Sequence, residues 1–436
     1  MVRRHVDGAE VRVDPERVVI TGLGVVASNA IGLTAFARAL REGASGIRFH
    51  ESLAALQFGC QVGGIPQGVE AIAPRYLAED ELLTMNSNMI YAAIAAIDAW
   101  ADAGLERVGL EGEPDWDSGA IVGTGFGGLE TVGKDLVPAT DAGNVSLLGG
   151  AMAEQTMASG NTARIGGLLG LGNRVTTNSS ACTTGIEAIV EALHRIRAGR
   201  AIRMLAGGSE GHSLYGWATL DALKVSPRAY NREPAKASRP MSASARGMVP
   251  SSGAGVLLLE SLSSARRRGA RIYAEVLAGE VNCGGQRGRG SMTAPNVEGV
   301  RRCILRAVAE AGDAGRHIDV INGHLTATFA DRHEIGSWSA ALGLAPSRMP
   351  YIQATKSIIG HALGAAGGIE SVACVLQLHQ GFVHGSLNCE DLHPALVEYA
   401  DCIAHSTIDA EVKVIAKASF GFGDVNGCVL FRKFEG

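Results

Sequence analysis

Residues 176–199, TTNSSACTTGIEAIVEALHRIRAG, combine a short strand-like stretch, a turn of small residues and an amphipathic helix. Cys182 lies in the turn, directly before the helix, where free backbone N–H groups and the helix dipole favour negative charge. Because these features stabilise a thiolate, we expect the pKa of Cys182 to be lowered. Its backbone N–H could also hold the oxyanion of a bound carbonyl group. From this segment alone, a nucleophilic thiol and a buried structural cysteine remain open as alternatives.

Strands and helices alternate on both sides of this segment. Apolar, β-branched runs predict strands at 17–21, 119–122, 204–205, 256–259, 272–276, 318–322 and 412–416. Helical periodicity predicts helices at 90–103, 186–198 and 300–311. This alternation predicts an α/β protein with largely parallel sheets that are covered by helices on both faces.

The chain divides into two similar halves. Two segments resemble each other and each could form the first strand of one half, namely RVVITGLGVV (17–26) and ARIYAEVLAGEV (270–281). We predict an N-terminal half at 1–265, which carries the candidate nucleophile, and a C-terminal half at 266–436. No Pro- or Ser-rich linker separates them, so the two halves should form one body.

Composition excludes several classes of function. The chain has 436 residues, of which 46% are hydrophobic and 19% charged, as expected of a globular enzyme. A net charge of −5 gives no electrostatic basis for nucleic-acid binding. No stretch approaches the ~20 apolar residues of a membrane helix. Neither a nucleic acid nor a membrane is expected as a partner.

The cysteines and the N-terminus predict a cytoplasmic protein. Eight cysteines are scattered through the chain without a CxxC pair, as in proteins of a reducing compartment. The segment 3–16 begins with two arginines and continues with four acidic residues before any apolar run. That order differs from a secretory signal.

Two glycine-rich turns could be mistaken for a nucleotide site. Residues 22–27 (GLGVVA) and 123–128 (GTGFGG) both fit a dinucleotide-type pattern. Neither is followed by an immediate helix and by a strand that ends in an acid about 20 residues later. We therefore favour structural turns, and a nicotinamide-dependent oxidoreductase remains the alternative from another class.

Two histidine segments carry the remaining candidate chemistry. His324 lies in NGHLTAT (322–328), and His361 lies in KSIIGHALGAAGG (356–368), among small residues. Lys356 is the only charged residue in the latter segment, which indicates a functional charge. Its predicted ion-pair partner is Glu334 or Asp331.

The segment SFGFGDVN (419–426) could supply a second N–H to an oxyanion, or it could be a simple hairpin bend. One cysteine, two histidines and a lysine, each in a turn of small residues, describe a thiol nucleophile with electrophilic helpers.

Four motifs in order, SSACTTG, GHLTAT, KSIIGHALGAAGG and SFGFGDVNG, resemble those of the β-ketoacyl synthases, and the match extends over residues 17–433. The resemblance implies a thiolase fold, in which two similar βα halves form a five-layer αβαβα body. It implies an acyltransferase that performs decarboxylative Claisen condensation with malonyl-acyl carrier protein. It implies no metal and no cofactor except the phosphopantetheine of the carrier protein, and a homodimer or a heterodimer with another ketosynthase-like chain.

The resemblance also assigns catalytic roles. Cys182 would accept the acyl chain as a thioester. His324 and His361 would hold the malonyl carbonyl and stabilise the enolate that forms when CO₂ leaves. Lys356 and Glu334 would form a supporting ion pair.

Further residues would shape the pocket. Thr326 and Thr328 would hold the pantetheine arm, and Phe422, between Gly421 and Gly423, would gate the pocket and complete the oxyanion hole. The remaining expected substrate contacts are Phe126, Leu325 and Phe420. Phe126 in GTGFGG would close the acyl channel beyond a few carbons, near a dimer interface.

The chain departs from the family pattern at four positions. Leu325 replaces a Gly and should crowd the entrance beside His324. Asp424 and Val425 replace Gly and Thr, which should stiffen the gating loop, and Ser252 replaces an acid. These departures favour specialised polyketide or polyene synthesis over housekeeping fatty-acid synthesis. A ketosynthase-like partner subunit that does not condense is disfavoured, since Cys182 is retained.

Overall fold

A computed structural model describes the chain in full from Glu16 to Gly436. Before Glu16 it describes only the backbone of two paired strands, Val2–Val6 and Ala9–Val13. The N-terminal charge order, apart from Glu16, therefore lies outside the described residues. Among the described helices, none is long and apolar enough to cross a membrane.

Eleven strands form one mixed sheet, and ten of them fall into two sets of five. The first set is β1 (Val18–Ala27), β2 (Ser118–Gly123), β3 (Val175–Thr176), β4 (Arg203–Glu210) and β5 (Gly253–Ser261). The second set is β6 (Ala274–Cys283), β7 (Val320–Asn322), β8 (Tyr351–Gln353), β9 (Val414–Gly421) and β10 (Val425–Lys433). The eleventh strand, Ala30–Ile31, pairs with β1.

The two sets have the same topology. Their strand orders are β1-β5-β4-β2-β3 and β6-β10-β9-β7-β8. In each set the last three strands are parallel, and β5 or β10 runs antiparallel to both neighbours. The opening strands β1 and β6 pair with each other over three residues and join the sets.

The expectation of largely parallel sheets is wrong, because the sheet is mixed. An apolar run such as β5, in which every residue is buried, shows that both faces are covered but not which way the strand points. Direction is set by the connections, which the apolar pattern does not encode.

Helices cover the sheet in layers. The longer helices are α1 (Leu33–Glu42), α2 (Ser87–Asp102), α3 (Gly160–Leu169), α4 (Thr184–Arg197), α5 (Leu214–Ala222), α6 (Val297–Glu310), α7 (Ala330–Leu342) and α8 (Ala366–Gln380). Between the two sets of strands lie α4 and α8, whose apolar side chains form the central core. Helices α2 and α3 cover the outer face of the first set, and α6 and α7 cover that of the second. The result is the expected five-layer αβαβα body.

Shorter elements connect these layers. The short helices are Glu51–Ala55, Val69–Ile72, Glu79–Leu83, Leu129–Thr131, Val137–Asp141, Met152–Thr156, Leu262–Arg267 and Lys356–Ile359. Two further pairs of short strands are Ile47–Phe49 with Val62–Gly64, and Phe382–Val383 with Ile408–Asp409.

The first glycine motif lies inside a strand and not in a turn. Gly22 and Gly24 belong to β1, and helix α2 passes directly over them. A Cβ atom would lie 2.0 Å from the carbonyl oxygen of Ala99 at Gly22, and 1.8 Å from that of Ala95 at Gly24. Glycine is therefore required for helix–strand packing, and this motif gives no support to the oxidoreductase alternative.

Candidate active site

The site lies where several strands of the second set end. The carboxyl ends of the parallel strands β7, β8 and β9 lie side by side at one edge of the sheet. Ligand sites of α/β proteins commonly form at such an edge. His324 follows β7, and His361 follows β8 after the short helix Lys356–Ile359. Phe422 follows β9, and Cys182 enters from the turn between β3 and α4.

One thiol and two imidazoles converge in this region. Nε2 of His361 lies 3.1 Å from Sγ of Cys182. The rings of His324 and His361 meet edge to face, with centroids 5.3 Å apart. All three side chains are buried, so a reaction among them is shielded from bulk water.

The hydrogen bonds of His361 define its tautomer. The backbone N–H of Leu363 donates to Nδ1 of His361 over 3.1 Å, so the ring proton lies on Nε2 and faces Cys182. Burial and the Lys356 ammonium group hold the pKa of His324 and of His361 well below the ordinary range. Both imidazoles are therefore neutral near pH 7 and can act as N–H donors.

The Cys182 turn is held in an uncommon backbone conformation. Ala181, directly before Cys182, has a φ of +50°, which is unfavourable for a residue with a Cβ. The hydroxyl of Thr183 donates to the carbonyl oxygen of Val425 over 2.9 Å. This bond ties the nucleophile turn to β10, on the other side of the central layer.

Two backbone amides border the thiol. The N–H of Phe422 is directed at Sγ of Cys182, and the N–H of Cys182 lies beside Gly421. A Cβ on Gly421 would lie 3.1 Å from that nitrogen and would crowd the space for an oxyanion. Glycine at this position keeps the expected oxyanion hole open.

The expected lowering of the Cys182 pKa is wrong for the unliganded protein. Burial raises the pKa of Cys182 to about 11, although Lys356 and the N–H of Phe422 oppose the rise. Loss of water around the sulfur outweighs the helix N-terminus because the side chain is buried, with only 7% of its surface exposed. The sequence indicates the helix end but not the depth of burial.

Two acids at the start of α7 fix the turn that carries His324. Glu334 accepts the backbone N–H groups of His324 (2.7 Å) and Leu325 (2.9 Å). Asp331 accepts the N–H of Thr326 over 2.9 Å. Burial raises the pKa of Glu334 to about 7 and that of Asp331 to about 6. These carboxyl groups hold the backbone of the turn in place.

The predicted ion pair between Lys356 and Glu334 is wrong. Nζ of Lys356 lies 2.7 Å from Oε1 of Glu370, in helix α8. Oε2 of the same carboxylate lies 2.7 Å from Nζ of Lys417 in β9. Both oxygens of Glu334 instead accept backbone N–H groups, those of His324 and Leu325. Asp331, the other partner considered, also accepts backbone N–H groups.

Sequence reasoning missed Glu370, Lys417 and Glu210. Glu370 is the only acid or base, apart from His379, in α8, and Lys417 is the only charge in β9. Isolated charges in otherwise apolar elements were the signal that could have found both. Glu210, at the end of β4, accepts N–H groups from Gly125 and Gly364, both over 2.9 Å.

A narrow cavity of about 90 Å³ leads to the thiol. Its walls include most of the predicted site residues, namely Cys182, His324, Thr326, Thr328, Glu334, His361, Phe420, Gly421 and Phe422. The hydroxyls of Thr326 and Thr328 lie 3.0 Å apart, and the ring of Phe420 meets that of His324 edge to face. The other predicted contacts, Phe126, Leu325 and Gly423, do not line this cavity.

Leu325 does not crowd the entrance, contrary to expectation. Its side chain is 1% exposed and packs in the apolar core beneath α6 and α7, with Ile304 and Trp338. The backbone accommodates this with a φ of +25°. A residue that replaces glycine here turns its side chain inward, away from the cavity.

Phe126 lies apart from the cavity. Its backbone N–H donates to Glu210 over 3.0 Å, and its ring packs against Gly216. The ring is 36% exposed on the isolated chain. Its predicted role in the acyl channel therefore remains a prediction.

Asp424 ties the gating turn to a neighbouring loop. Its carboxylate accepts the backbone N–H groups of Gln286 (2.9 Å) and Asn296 (2.7 Å). The N–H of Gly423 donates to the carbonyl oxygen of Met292 over 2.8 Å. A glycine at position 424 could make neither side-chain contact, so these bonds fit the predicted stiffening of the gating loop.

The thiol and imidazoles also form a possible ligand set. Their donor atoms lie within 4.8 Å of one another, close enough to surround a metal ion. Two buried ammonium groups, on Lys356 and Lys417, already lower the pKa of both histidines. The same positive charge disfavours a cation, so the donor set suits N–H donation better than metal ligation.

The five-layer fold and the buried thiol beside two imidazoles define a condensing enzyme of the thiolase class. A family model for the N-terminal domain of β-ketoacyl synthases matches residues 15–265, and one for the C-terminal domain matches residues 273–390. The 3-oxoacyl-[acyl-carrier-protein] synthase I, chloroplastic, of Arabidopsis thaliana is 34% identical and covers 97% of this chain and 88% of its own length. The 3-oxoacyl-[acyl-carrier-protein] synthase 2 of Rhizobium meliloti is 33% identical, with 96% and 99% covered.

Solved structures agree. The ishigamide ketosynthase/chain length factor has a TM-score of 0.87 at 28% identity and covers 97% of this chain and 100% of its own. A type II polyketide ketosynthase in complex with its acyl-carrier protein, AntDE:AntF, has a TM-score of 0.85 at 26% identity, with the same coverage. This chain belongs to the β-ketoacyl synthase family. The expected family, fold and class of acyltransferase are confirmed.

Proposed function

We propose that this chain condenses an acyl thioester, held on Cys182, with malonyl-acyl carrier protein to give a 3-oxoacyl-acyl carrier protein. The observation that carries the proposal is the convergence of one thiol and two neutral imidazoles on one buried cavity. A thiol supplies the covalent carrier of the acyl chain, and two N–H donors supply the stabilisation that an enolate needs.

The first step is acyl transfer. Sγ of Cys182 attacks the carbonyl carbon of the acyl thioester, and the pantetheine sulfur leaves with the proton of the thiol. The developing oxyanion is held by the N–H groups of Cys182 and Phe422, which border the sulfur. Because the pKa of Cys182 is raised, the resting thiol is protonated and the proton travels with the exchange.

The second step is decarboxylation. The thioester carbonyl of the malonyl group accepts hydrogen bonds from the Nε2–H of His361 and from His324. The bond to the carboxylate breaks, CO₂ departs, and the electron pair remains as an enolate. Because Nε2 of His361 lies 3.1 Å from Sγ of Cys182, an enolate bound to this N–H would lie beside the acyl carbon. The carbanion attacks this carbon and the sulfur of Cys182 leaves.

The acyl carrier protein supplies both substrates and the phosphopantetheine. Thr326 and Thr328, whose hydroxyls lie on the cavity wall, hold the arm. The chain needs no cofactor of its own. It works as a homodimer or beside a second ketosynthase-like chain, as the ketosynthase/chain length factor structure exemplifies for its own system.

The pathway is specialised polyketide or polyene synthesis. The likeness to a type II polyketide ketosynthase and the contacts of Asp424, where the family pattern has glycine, support this assignment. Fatty-acid elongation is the second candidate, because the curated relatives are 3-oxoacyl-acyl carrier protein synthases. A non-condensing partner subunit is disfavoured, since Cys182 lies beside both histidines.

Two further assignments belong to the proposal. The chain divides into halves at 1–265 and 266–436, which is supported by the repeated strand order. The protein is cytoplasmic, which is supported by eight free cysteines.

Loading of the enzyme tests the proposal. We expect incubation with a panel of acyl-acyl carrier proteins, followed by intact-mass measurement and peptide mapping, to place one acyl group on Cys182. Cys283→Ala is the matched control, because Cys283 is the exposed thiol among the described residues. The adduct should persist in Cys283→Ala and vanish in Cys182→Ala. An adduct that survives Cys182→Ala contradicts the assigned nucleophile.

A further inference from the structure

A carboxylate lies between two lysines behind the active site. Glu370 of α8 contacts Lys356 through Oε1 and Lys417 through Oε2, each at 2.7 Å. The side chains of all three are at most 2% exposed. Lys356 precedes His361 by five residues and was recognised from the sequence, whereas Lys417 has no assigned role.

Lys417 lies at the level where the His324 turn begins. In the parallel register, Lys417 of β9 pairs with Asn322 of β7, which pairs with Gln353 of β8. These three polar side chains are fully buried. Nζ of Lys417 also lies 3.5 Å from the carbonyl oxygen of Gly323, directly before His324. One ammonium group thus reaches both the carboxylate on α8 and the backbone of the His324 turn.

The cluster has more positive than negative charge. Two ammonium groups share one carboxylate at Glu370, and this surplus lies behind the imidazoles of His324 and His361. Both lysines contribute to the lowered pKa of each histidine. Burial is the main cause of the lowered pKa of both histidines, and the surplus positive charge adds to it. Both rings therefore stay neutral, as N–H donation to an enolate requires.

Fold stability alone does not explain this arrangement. Burying an ion costs desolvation energy, and replacement of buried charged clusters by apolar side chains often leaves stability unchanged or improves it. Position 417 faces the apolar central core together with Ile415 and Val429. An aliphatic residue would suit those neighbours, so the buried ammonium group is better explained by the site beside it.

We propose that Lys417 is a positioning residue for decarboxylation, which links Glu370 to the backbone of the His324 turn and supplies the second positive charge behind the two histidines. The role rests on the proposed function, since it acts on the step that releases CO₂. It does not extend to loading of Cys182, because Lys417 contacts neither the nucleophile turn nor the oxyanion hole among the described residues.

The test compares Lys417→Met with the control Ile415→Val, a buried change two residues away on the same face of β9. CO₂ release from malonyl-acyl carrier protein and acylation of Cys182 by intact mass are measured in both. We expect Lys417→Met to lower the kcat of CO₂ release by about tenfold or more. Acylation of Cys182 should stay within about threefold of wild type. Ile415→Val should change neither rate.

The pH profile separates positioning from a merely structural effect. The charged or titratable groups that face this region are Lys356, Glu370, Glu334, His324 and His361, together with the buried Cys182, Cys374, Cys428 and His384. Loss of one positive charge raises the pKa of both histidines, so the acid limb of CO₂ release should move to higher pH in Lys417→Met. Lys417→Arg, which keeps the charge, should leave the limb at its wild-type position.

Each outcome decides the matter. A folded Lys417→Met with unchanged CO₂ release and an unchanged acid limb overturns the role. Lys417→Gln, which keeps an N–H donor without the charge, replaces Lys417→Met if that variant does not fold. If neither folds while Ile415→Val does, Lys417 acts on folding and the role is again overturned. A wild-type enzyme that neither loads Cys182 nor releases CO₂ overturns the proposed function itself.

Discussion

Nε2 of His361 lies 3.1 Å from Sγ of Cys182, while Nδ1 of the same ring accepts the N–H of Leu363. The proton of this histidine therefore faces the thiol, and the ring acts as a donor at that nitrogen and not as a base. This arrangement separates two tasks. Under the proposed function, Cys182 carries the acyl chain and the histidines stabilise the enolate.

The pH dependence of decarboxylation follows from the neutral histidines. Burial and Lys356 lower the pKa of His324 and of His361, so both rings stay neutral as the pH falls through 6.5. We expect CO₂ release to retain its full rate below pH 6.5, measured with malonyl-acyl carrier protein in a pH series. Lys356→Met removes a charge that lowers the pKa of both histidines, so the acid limb of the pH profile should move to higher pH. An acid limb at or above pH 6.5 in wild type would contradict the assignment.

Glu334 predicts a pH-dependent stability. Its pKa is about 7 in the fold against an ordinary value of 4.5, so the folded protein retains a proton that the unfolded chain has released between these values. The contribution of Glu334 to the free energy of unfolding therefore falls as the pH rises through this window. Glu334→Gln removes the ionisable group and should reduce the loss of stability between pH 5 and pH 7.5.

Urea unfolding of wild type and Glu334→Gln at both pH values measures this difference. Glu79→Gln, in an exposed position of the helix Glu79–Leu83, is the control and should keep the wild-type dependence. Equal dependence on pH in wild type and Glu334→Gln would show that this carboxyl group is not the source.

We predict that the side-chain hydrogen bonds of Asp424 restrain the gating loop. Its carboxylate joins Gln286 and Asn296, and its φ of +63° suits glycine. Asp424→Gly removes both hydrogen bonds without backbone strain, so amide hydrogen exchange should accelerate in 284–296 and 419–426. Asp424→Asn keeps one acceptor oxygen and should give an intermediate rate of exchange. The exchange is measured by mass spectrometry. Unchanged exchange in Asp424→Gly would contradict the restraint.

We predict that the ring of Phe126 limits the length of the acyl chain. Its ring is larger and less adaptable than an aliphatic side chain, so removal should open the channel to saturated chains several carbons longer. Phe126→Ala keeps the backbone N–H bond to Glu210, which limits the change to the ring. The readout is the length profile of acyl groups on Cys182 by intact mass, with the exposed Leu110→Ala as control. An identical profile in Phe126→Ala would place the length determinant elsewhere.

The sequence predicted which side chains meet at the candidate site better than it predicted their electrostatic environment. Cys182, His324 and His361 each stand in a turn of small residues, and such turns leave a local pattern that can be recognised. The partner of Lys356 leaves no local pattern, because Glu370 reaches it from a helix of the central layer. The pKa of Cys182 was predicted in the wrong direction, since burial by distant segments outweighs the helix end.

In the fold as well, features with a local sequence pattern were predicted and features set by distant segments were not. Apolar runs located seven of the ten strands of the two sets and three of the eight longer helices, and the repeated opening strands indicated two halves. They did not predict that β5 and β10 run antiparallel to their neighbours, because burial on two faces looks alike in either direction. Leu325 was assigned to the entrance, yet its backbone turns the side chain into the core. Such orientations depend on φ and on tertiary packing.

The division of labour at the site is tested most directly by CO₂ release and condensation measured together in Cys182→Gln with malonyl-acyl carrier protein. The account predicts that condensation is abolished while CO₂ release continues, because the histidines and the lysine cluster remain intact. His361→Ala, the matched comparison, should lower CO₂ release by roughly 10² or more through loss of a donor. Condensation that persists in Cys182→Gln, or CO₂ release that disappears with it, would contradict the account.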